Sequence, residues 1–284
     1  MGNPTKDEIK SFYDKTAERV LDAYSKLDEK EWSKKASDHW SAKEHLAYSV
    51  GTLEEEMLPV TRATISGEGI SIPGFTKRDE EPAFRRAITE KLSGLPAVDL
   101  ISRLRAAYDE HARILEGLIE ADLDRKVTNP GWDREGTVRD LFVAAYLLLV
   151  NQYQAIRRVA KKKVPHWMDG IEPERVHYHV DRLFHYMPLI FNRNRADDIN
   201  ATYQFTMEGE GGGQWNMRIG DGRADTSDGA ADTYDCEIKT KPALWMDLAS
   251  GDLSAPIAIM TRKVKLGGNP ALAMKLSGIF GSTD

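Results

Sequence analysis

What this sequence has little of narrows it first. Across 284 residues there is one cysteine, Cys236. A single thiol cannot close an internal disulfide, so the fold is not a cystine scaffold and a reducing cytoplasm is the expected compartment. Long hydrophobic runs are missing. None approaches the roughly 20 apolar residues that cross a bilayer, which predicts no stable membrane insertion. The opening "MGNPTKDEIK" has no apolar run either, and so predicts neither signal peptide nor anchor. Positive charge is not in excess. Lys and Arg number 39 against 45 Asp and Glu, a net charge of −6, so no nucleic acid partner is expected. The sequence contains no serine elbow, Walker sequence or dinucleotide fingerprint. "GEGGG" and "GDG" precede strand patterns and read as hairpin turns, not as phosphate cradles. What remains, 41% hydrophobic and 30% charged, suits a globular protein with real cores, long enough for two domains.

Four helical patterns fill the first part. Ile9, Phe12, Val20, Leu21 and Tyr24 recur at helical spacing over 7–27. A second helix starts at Ser41, where S-A-K-E is a capping box, and carries the stripe Leu46, Val50, Leu53, Met57, Val60. A third, about 98–119, aligns Leu100, Leu104, His111, Leu115 and Leu118. The fourth begins with T-V-R-D at 137–140 and continues into "LFVAAYLLLV", apolar on every side and therefore buried. The long connection 67–97 is broken by Gly67, Gly69, Pro73 and Gly74, with a short helix around 81–92. Four helices with one long crossover make an all-α four-helix bundle over 1–164. Pro165, Gly170 and Pro173 mark a linker at 165–174.

Past the linker the period changes. A helix over 174–192 carries Val180, Leu183, Phe184, Met187, Ile190 and Phe191 on one face. Then Ala201, Tyr203, Phe205 and Met207 alternate with Thr202, Gln204 and Thr206. After the glycine cluster, Trp215, Met217 and Ile219 alternate with Gln214, Asn216 and Arg218. A strand at 223–227, one with Tyr234, Cys236 and Ile238, and a last one with Val264 and Leu266 complete the set. Short helices at 241–250 and 255–261 and a closing helix with Leu272, Leu276, Ile279 and Phe280 accompany them. The expectation for 175–284 is an α+β domain: a five-stranded, mainly antiparallel sheet covered by helices. Cys236 reads as a small buried hydrophobe, and the lysines of "TRKVKL" as a solvated strand face, with a membrane-docking patch as the less favoured alternative.

From about 199 to 280, "INATYQFTMEGEGGGQWNMRIGDG", "LWMDLASGDLSAPIAIMTRKVKLGG" and "ALAMKLSGIF" resemble the sterol carrier protein (SCP-2-like) family in order and throughout. That resemblance implies a tunnel for fatty acyl chains, sterols or other apolar ligands. "HWSAKEHLAY", "LIEADLDRKVTNPGW" and "TVRDLFVAAYLLLVNQYQAI" make the first part similar to the DinB-like bundle superfamily. The same pairing of domains occurs in mycothiol-dependent maleylpyruvate isomerases, which use a thiol cofactor and a divalent metal in the bundle. The resemblance puts the first metal ligand at Tyr48 and the others near Leu147 or Leu148 and Asn151 or Gln152. A phenol, an aliphatic chain and an amide do not replace the imidazole, thiolate or carboxylate donors that such metals take. No metal and no cofactor are therefore expected, and no catalytic residue is assigned.

The histidines offer no substitute. His45 lies at the border of its helix's apolar stripe and His111 on an apolar face; a His45–His111 metal or acid–base pair is the less favoured alternative to border and core residues, and His39 reads as a loop residue. His177, His179 and His185 are two and eight apart, whereas side chains that meet on a helix are three or four apart. The reading therefore favours a binding protein over an enzyme. Its partner is a hydrophobic small molecule, and a homodimer is compatible with the sequence. The candidate ligand-binding residues are Phe205, Met207, Trp215 and Met217 on the strands, and Leu244, Trp245 and Leu248 on the first short helix. Ile257 and Met260 follow on the second, and Leu272, Met274, Leu276 and Phe280 near the end. The alternative is a thiol-dependent transferase or isomerase like the mycothiol-dependent enzymes.

Overall fold

A computed structural model describes residues 3–37, 39–68, 70, 72, 74–196, 199–276 and 278–280. The predicted breakers Gly69 and Pro73 lie outside them. The chain divides into two compact units. One takes the chain up to Gly131 together with Glu135–Trp167, and the other takes Trp132–Arg134 and the chain from Met168 onward.

The first unit is helical: α1 (Lys6–Ser25), α2 (Glu29–Trp32), α3 (Ala42–Thr52), α4 (Leu58–Ser66), α5 (Glu81–Ser93), α6 (Ala97–Glu116) and α7 (Val138–Val159), with a two-residue hairpin of β1 (Lys126–Val127) and β2 (Gly136–Thr137). Four of the helices open on reciprocal caps, α2 through Asp28 and Glu31. Thr5 with Glu8, Ser41 with Glu44 and Thr137 with Asp140 each satisfy two backbone donors that a helix start leaves open. α3 and α4 form one rod joined through a single π turn, Leu53–Met57, which adds a residue to the helical repeat. α1 packs on α6 and α7, and α3 packs on α5, α6 and α7. The apolar stripes meet in a core that includes Ile9, Val20, Leu46, Val50, Leu104 and Phe142.

In the second unit α8 (Pro173–Tyr186) precedes β3 (Ala201–Met207), β4 (Gly213–Gly220), β5 (Arg223–Asp228) and β6 (Cys236–Thr240). α9 (Pro242–Ala249), α10 (Ala255–Met260), β7 (Lys265–Gly268) and α11 (Pro270–Lys275) complete it. The sheet has five strands in the order β5-β4-β3-β6-β7. It is mixed and not mainly antiparallel, because β3 and β6 run parallel with Tyr203 opposite Cys236. The reason is the connection out of the edge strand β5. Residues 229–235 pass over the outer face, where Asn216 donates to the Gly229 carbonyl and Ala231 N–H donates to the Gln204 side chain. Gln204, expected on a wet face, is thereby buried, and its amide donates to the carbonyls of Phe205 and Trp215. Period-two alternation identifies the two faces of a strand but not the direction of its neighbour.

The glycine cluster turns β3 into β4 as expected. Gly211 has φ +68°, and a Cβ there would lie 2.5 Å from that of Val176. A Cβ on Gly212 would lie 2.1 Å from the Met207 carbonyl oxygen. Elsewhere the element ends differ from expectation. α8 stops at Tyr186, and Phe191 instead forms a bridge with Phe280, past the end of α11. Tyr234 precedes β6 and is exposed.

Candidate functional site

The inner face of the sheet presents Tyr203, Phe205, Met207, Trp215, Met217, Ile219, Cys236 and Ile238, all buried. Phe184 of α8 sits at their centre. Its ring lies 4.7 Å from Phe205, 5.0 Å from Trp215 and 5.1 Å from Trp245. Trp215 is anchored by its indole N–H, which donates to Asp181 Oδ1 at 2.8 Å. Burial works against the Asp181 charge, but Arg182 and that indole hold the carboxyl below the ordinary range. Cys236 lies in the same core, and burial pushes its thiol up to about 11, far from a thiolate nucleophile.

The cover over this face is only half closed. Trp245, Leu248, Leu272, Leu276 and Phe280 pack on the core while remaining partly exposed, as does Leu244. Trp245 Nε1 is shut from solvent yet finds no hydrogen-bond partner. A buried unpaired donor costs about 1–3 kcal/mol, and this indole shares that condition with other buried polar groups such as the Tyr13 and Tyr24 hydroxyls. Of the candidate ligand-binding residues, Phe205, Met207, Trp215 and Met217 are fully buried. Ile257, Met260 and Met274 are turned outward, 55%, 83% and 44% exposed.

The helical unit holds a polar cluster of a different kind. Tyr48 and Thr52 lie on α3, Glu56 in the π turn, and Glu81 and Arg85 on α5. Arg85 Nε and Nη2 donate to the two oxygens of Glu56 at 3.0 and 2.9 Å, a bidentate pair. The guanidinium also pairs with Glu81, and Nη1 donates to the Tyr48 hydroxyl at 3.4 Å. Burial raises the Glu81 carboxyl and the Tyr48 phenol above their ordinary ranges. For Arg85 burial pulls downward, but Glu56, Tyr48 and Glu81 outweigh it and keep the cation. The Trp40 ring lies 4.6 Å from that of Tyr48, tilted by 33°. This donor set does not fit the divalent metal that the bundle resemblance implies. Tyr48 is a protonated phenol beside a guanidinium, and Leu147 and Leu148 have no donor atom. The cluster escaped the sequence reading because Glu56 looks like part of a solvated "EEEM" run. Its burial depends on the π turn, which leaves no mark in the helical spacing.

The histidines lie apart. His45 is in contact with Trp40 and Tyr48 and hydrogen-bonds Asn151, while His111 lies between Tyr13 at 5.4 Å and Phe142 at 4.4 Å. Burial lowers His45 to about 4, with help from Arg158, and His111 to about 3. Neither ring nitrogen of His111 has a hydrogen-bond partner among the described residues. On α8, His177 Nδ1 meets the Gly212 carbonyl at 3.0 Å, and His179 is buried. His185 bridges two carboxylates, Nδ1 3.8 Å from Asp181 Oδ1 and Nε2 3.3 Å from Asp228 Oδ1. Asp181, His185 and Asp228 can bring three ligand atoms within 4.8 Å of one another. Yet both Asp181 oxygens are engaged by Trp215 and Arg182, and the imidazole spans the two carboxylates with opposite nitrogens. That arrangement ties α8 to β5 and does not converge on one point.

With this geometry in view, comparisons with known proteins can be placed. The sequence model of the SCP-2 sterol transfer family matches residues 190–281. No curated protein sequence matches the chain. Among solved structures, that of the mycothiol-dependent maleylpyruvate isomerase is similar over 93% of both chains, with a TM-score of 0.61 at 10% identity; at that identity the likeness is one of fold. The apo form of sterol carrier protein 2 from Yarrowia lipolytica is 22% identical, covering 31% of this chain and 71% of that one, with a TM-score of 0.28. Sterol carrier protein domain 2 of Helicoverpa armigera is also 22% identical, covering 38% and 87%, with a TM-score of 0.32. Residues 190–281 thus match the SCP-2 sterol transfer family model, in a chain whose fold is similar to that of the isomerase.

Proposed function

We propose that the protein binds and carries a hydrophobic small molecule, a fatty acyl, sterol or other lipid-like compound, on the inner face of the C-terminal sheet. The observation that carries this reading is the half-closed apolar cover within an SCP-2 family domain. Phe205, Met207 and Met217 form the floor. Trp245, Leu248, Leu272 and Leu276 form a cover whose short helices can part at small cost. Methionine and aromatic side chains adapt to loosely defined apolar shapes, and burial at about 25 cal/mol per Å² supplies affinity without many polar contacts. Trp245 Nε1 offers a donor for a ligand carbonyl or hydroxyl. Ile257, Met260 and Met274 fall outside the proposed lining. The test is titration of the purified chain with a fluorescent fatty acyl probe, beside mass spectrometry of co-purifying lipid. Saturable binding that quenches tryptophan fluorescence is expected; the absence of both probe uptake and co-purifying lipid would refute the reading.

The likeness of the whole chain to the maleylpyruvate isomerase fold favours a second reading, a thiol-dependent transferase or isomerase. Elemental analysis of protein purified without chelators tests it: stoichiometric zinc would overturn the reading of Tyr48 as a non-ligand. Turnover of an electrophile with a low-molecular-weight thiol would displace the carrier reading as the main activity.

A further inference from the structure

Six large hydrophobic side chains are strongly exposed among the described residues: Val98, Ile119, Tyr234, Ile257, Met260 and Met274. They differ in their surroundings. Val98, Ile119 and Tyr234 each precede an acidic residue, Asp99, Glu120 and Asp235. The other three lie in a stretch, Leu253 to Phe280, that has no Asp or Glu and four basic residues: Arg262, Lys263, Lys265 and Lys275. In a chain of net charge −6 such a stretch is a local reversal of sign.

The placement of α10 turns this composition into a surface. Ala258 is buried, and its carbonyl accepts from Lys263 and Val264 N–H, closing the end of the helix. At 100° per residue Pro256, Ile257 and Met260 then fall on the opposite, outer side, and all three are exposed. Arg262 follows at φ +58°, a left-handed helix end. Thr240 donates to the Lys263 carbonyl at 3.0 Å, which fixes this turn to the end of β6. Lys265 reaches the exposed Glu208 at 3.8 Å, whereas Arg262, Lys263 and Lys275 form no ion pair with a described residue. Two apolar side chains therefore project beside unpaired cations on a fixed backbone.

We infer that the outer side of α10 with the Arg262–Lys265 turn is a docking surface for an anionic lipid bilayer, with Ile257 and Met260 entering the headgroup layer and the cations resting on lipid phosphates. The short apolar projection supplies partitioning, and the cations supply attraction that salt screens. The surface lies in the same stretch as the half-closed cover, so the inference deepens the carrier reading by giving it a source of ligand. It is read out separately, because vesicle binding requires no ligand in the protein.

The test is co-sedimentation of the full chain with phosphatidylcholine vesicles, with and without phosphatidylglycerol. Binding is expected to the anionic vesicles alone and should fall as salt rises. The Arg262→Gln/Lys263→Gln variant should bind roughly thirtyfold more weakly, about fivefold for each cation removed. Ile257→Ser/Met260→Ser should lose most of the binding, and both variants should keep the acyl-probe affinity of the parent. Equal binding to both vesicle types, none to the anionic ones, or full binding by both variants would overturn the docking surface. If the acyl probe still binds in those cases, the carrier reading stands; if vesicles bind but the probe does not, the docking surface stands alone.

Discussion

The two units solve the problem of a filled interior in opposite ways. The helical unit buries polar groups in quantity: Tyr13, Tyr24, Tyr108, His111 and Gln152 inside the bundle, and Glu56, Glu81 and Arg85 beside Tyr48. The sheet unit fills its inner face with aromatic and methionine side chains around Phe184, and keeps its buried charges, Arg175, Asp181 and Arg182, on α8, where Asp181 anchors Trp215. The contrast teaches where adaptability resides. A polar interior is specified by hydrogen-bond geometry and tolerates little rearrangement, whereas an apolar one under a thin cover is held mainly by area. Ligand capture by loose fit belongs to the second kind.

Three experiments would break or sharpen that contrast. The largest expected effect is Phe184→Ala, which removes the ring against which Phe205, Trp215 and Trp245 pack. A loss of about 4 kcal/mol in urea unfolding is expected, and a much smaller loss would mean that the aromatic face collapses readily. Next is Arg85→Leu, which leaves Glu56 and Glu81 buried without their cation and should cost about 3 kcal/mol. The triple change Arg85→Leu/Glu56→Leu/Glu81→Leu should recover much of that. If it does not, the polar cluster is positioned by more than charge.

The third effect, the smallest at neutral pH because it is absent there, is a pH dependence. His45 and His111 have folded-state values of about 4 and 3, below the unfolded histidine value. The unfolded chain therefore takes up their protons first. Stability should be fully present above about pH 6.5 and should fall toward pH 4, by at most about 1.4 kcal/mol per pH unit for each histidine. The raised Glu81 carboxyl acts with the opposite sign, gaining stability as pH falls. His111→Phe should flatten the acid limb of urea midpoints measured from pH 7 to 4; an unchanged slope would exclude His111 as its source.

Much of this fold was legible from periodicity and caps. Ser41, Glu44, Thr137 and Asp140 mark helix starts through chemistry confined to four residues, and short-range chemistry survives in a sequence. Cys236, Phe205 and Trp215 were placed in the core by alternation alone. The parallel pairing of β3 with β6 was not legible, because nothing in a strand's pattern records which way its neighbour runs. Nor was the outward turn of Ile257 and Met260, since a six-residue helix is too short for its stripe to be phased against the sheet. The cluster around Tyr48 was half visible: Glu81 and Arg85 are four apart, but their partner Glu56 comes from a different helix.

The three residues Trp132–Arg134 carry a practical consequence for dissecting the chain. They belong to the sheet unit although more than thirty residues of the helical unit follow them. Trp132 Nε1 donates to the Tyr186 hydroxyl at 3.1 Å, Asp133 N–H donates to the Leu189 carbonyl at 2.6 Å, and Arg134 donates to Asp225 at 2.7 Å. A gene fragment opening at Met168 would express a sheet unit missing its own stitches at α8 and β5. Lipid-binding assays on such a fragment would then report on a looser protein than the one the full chain builds.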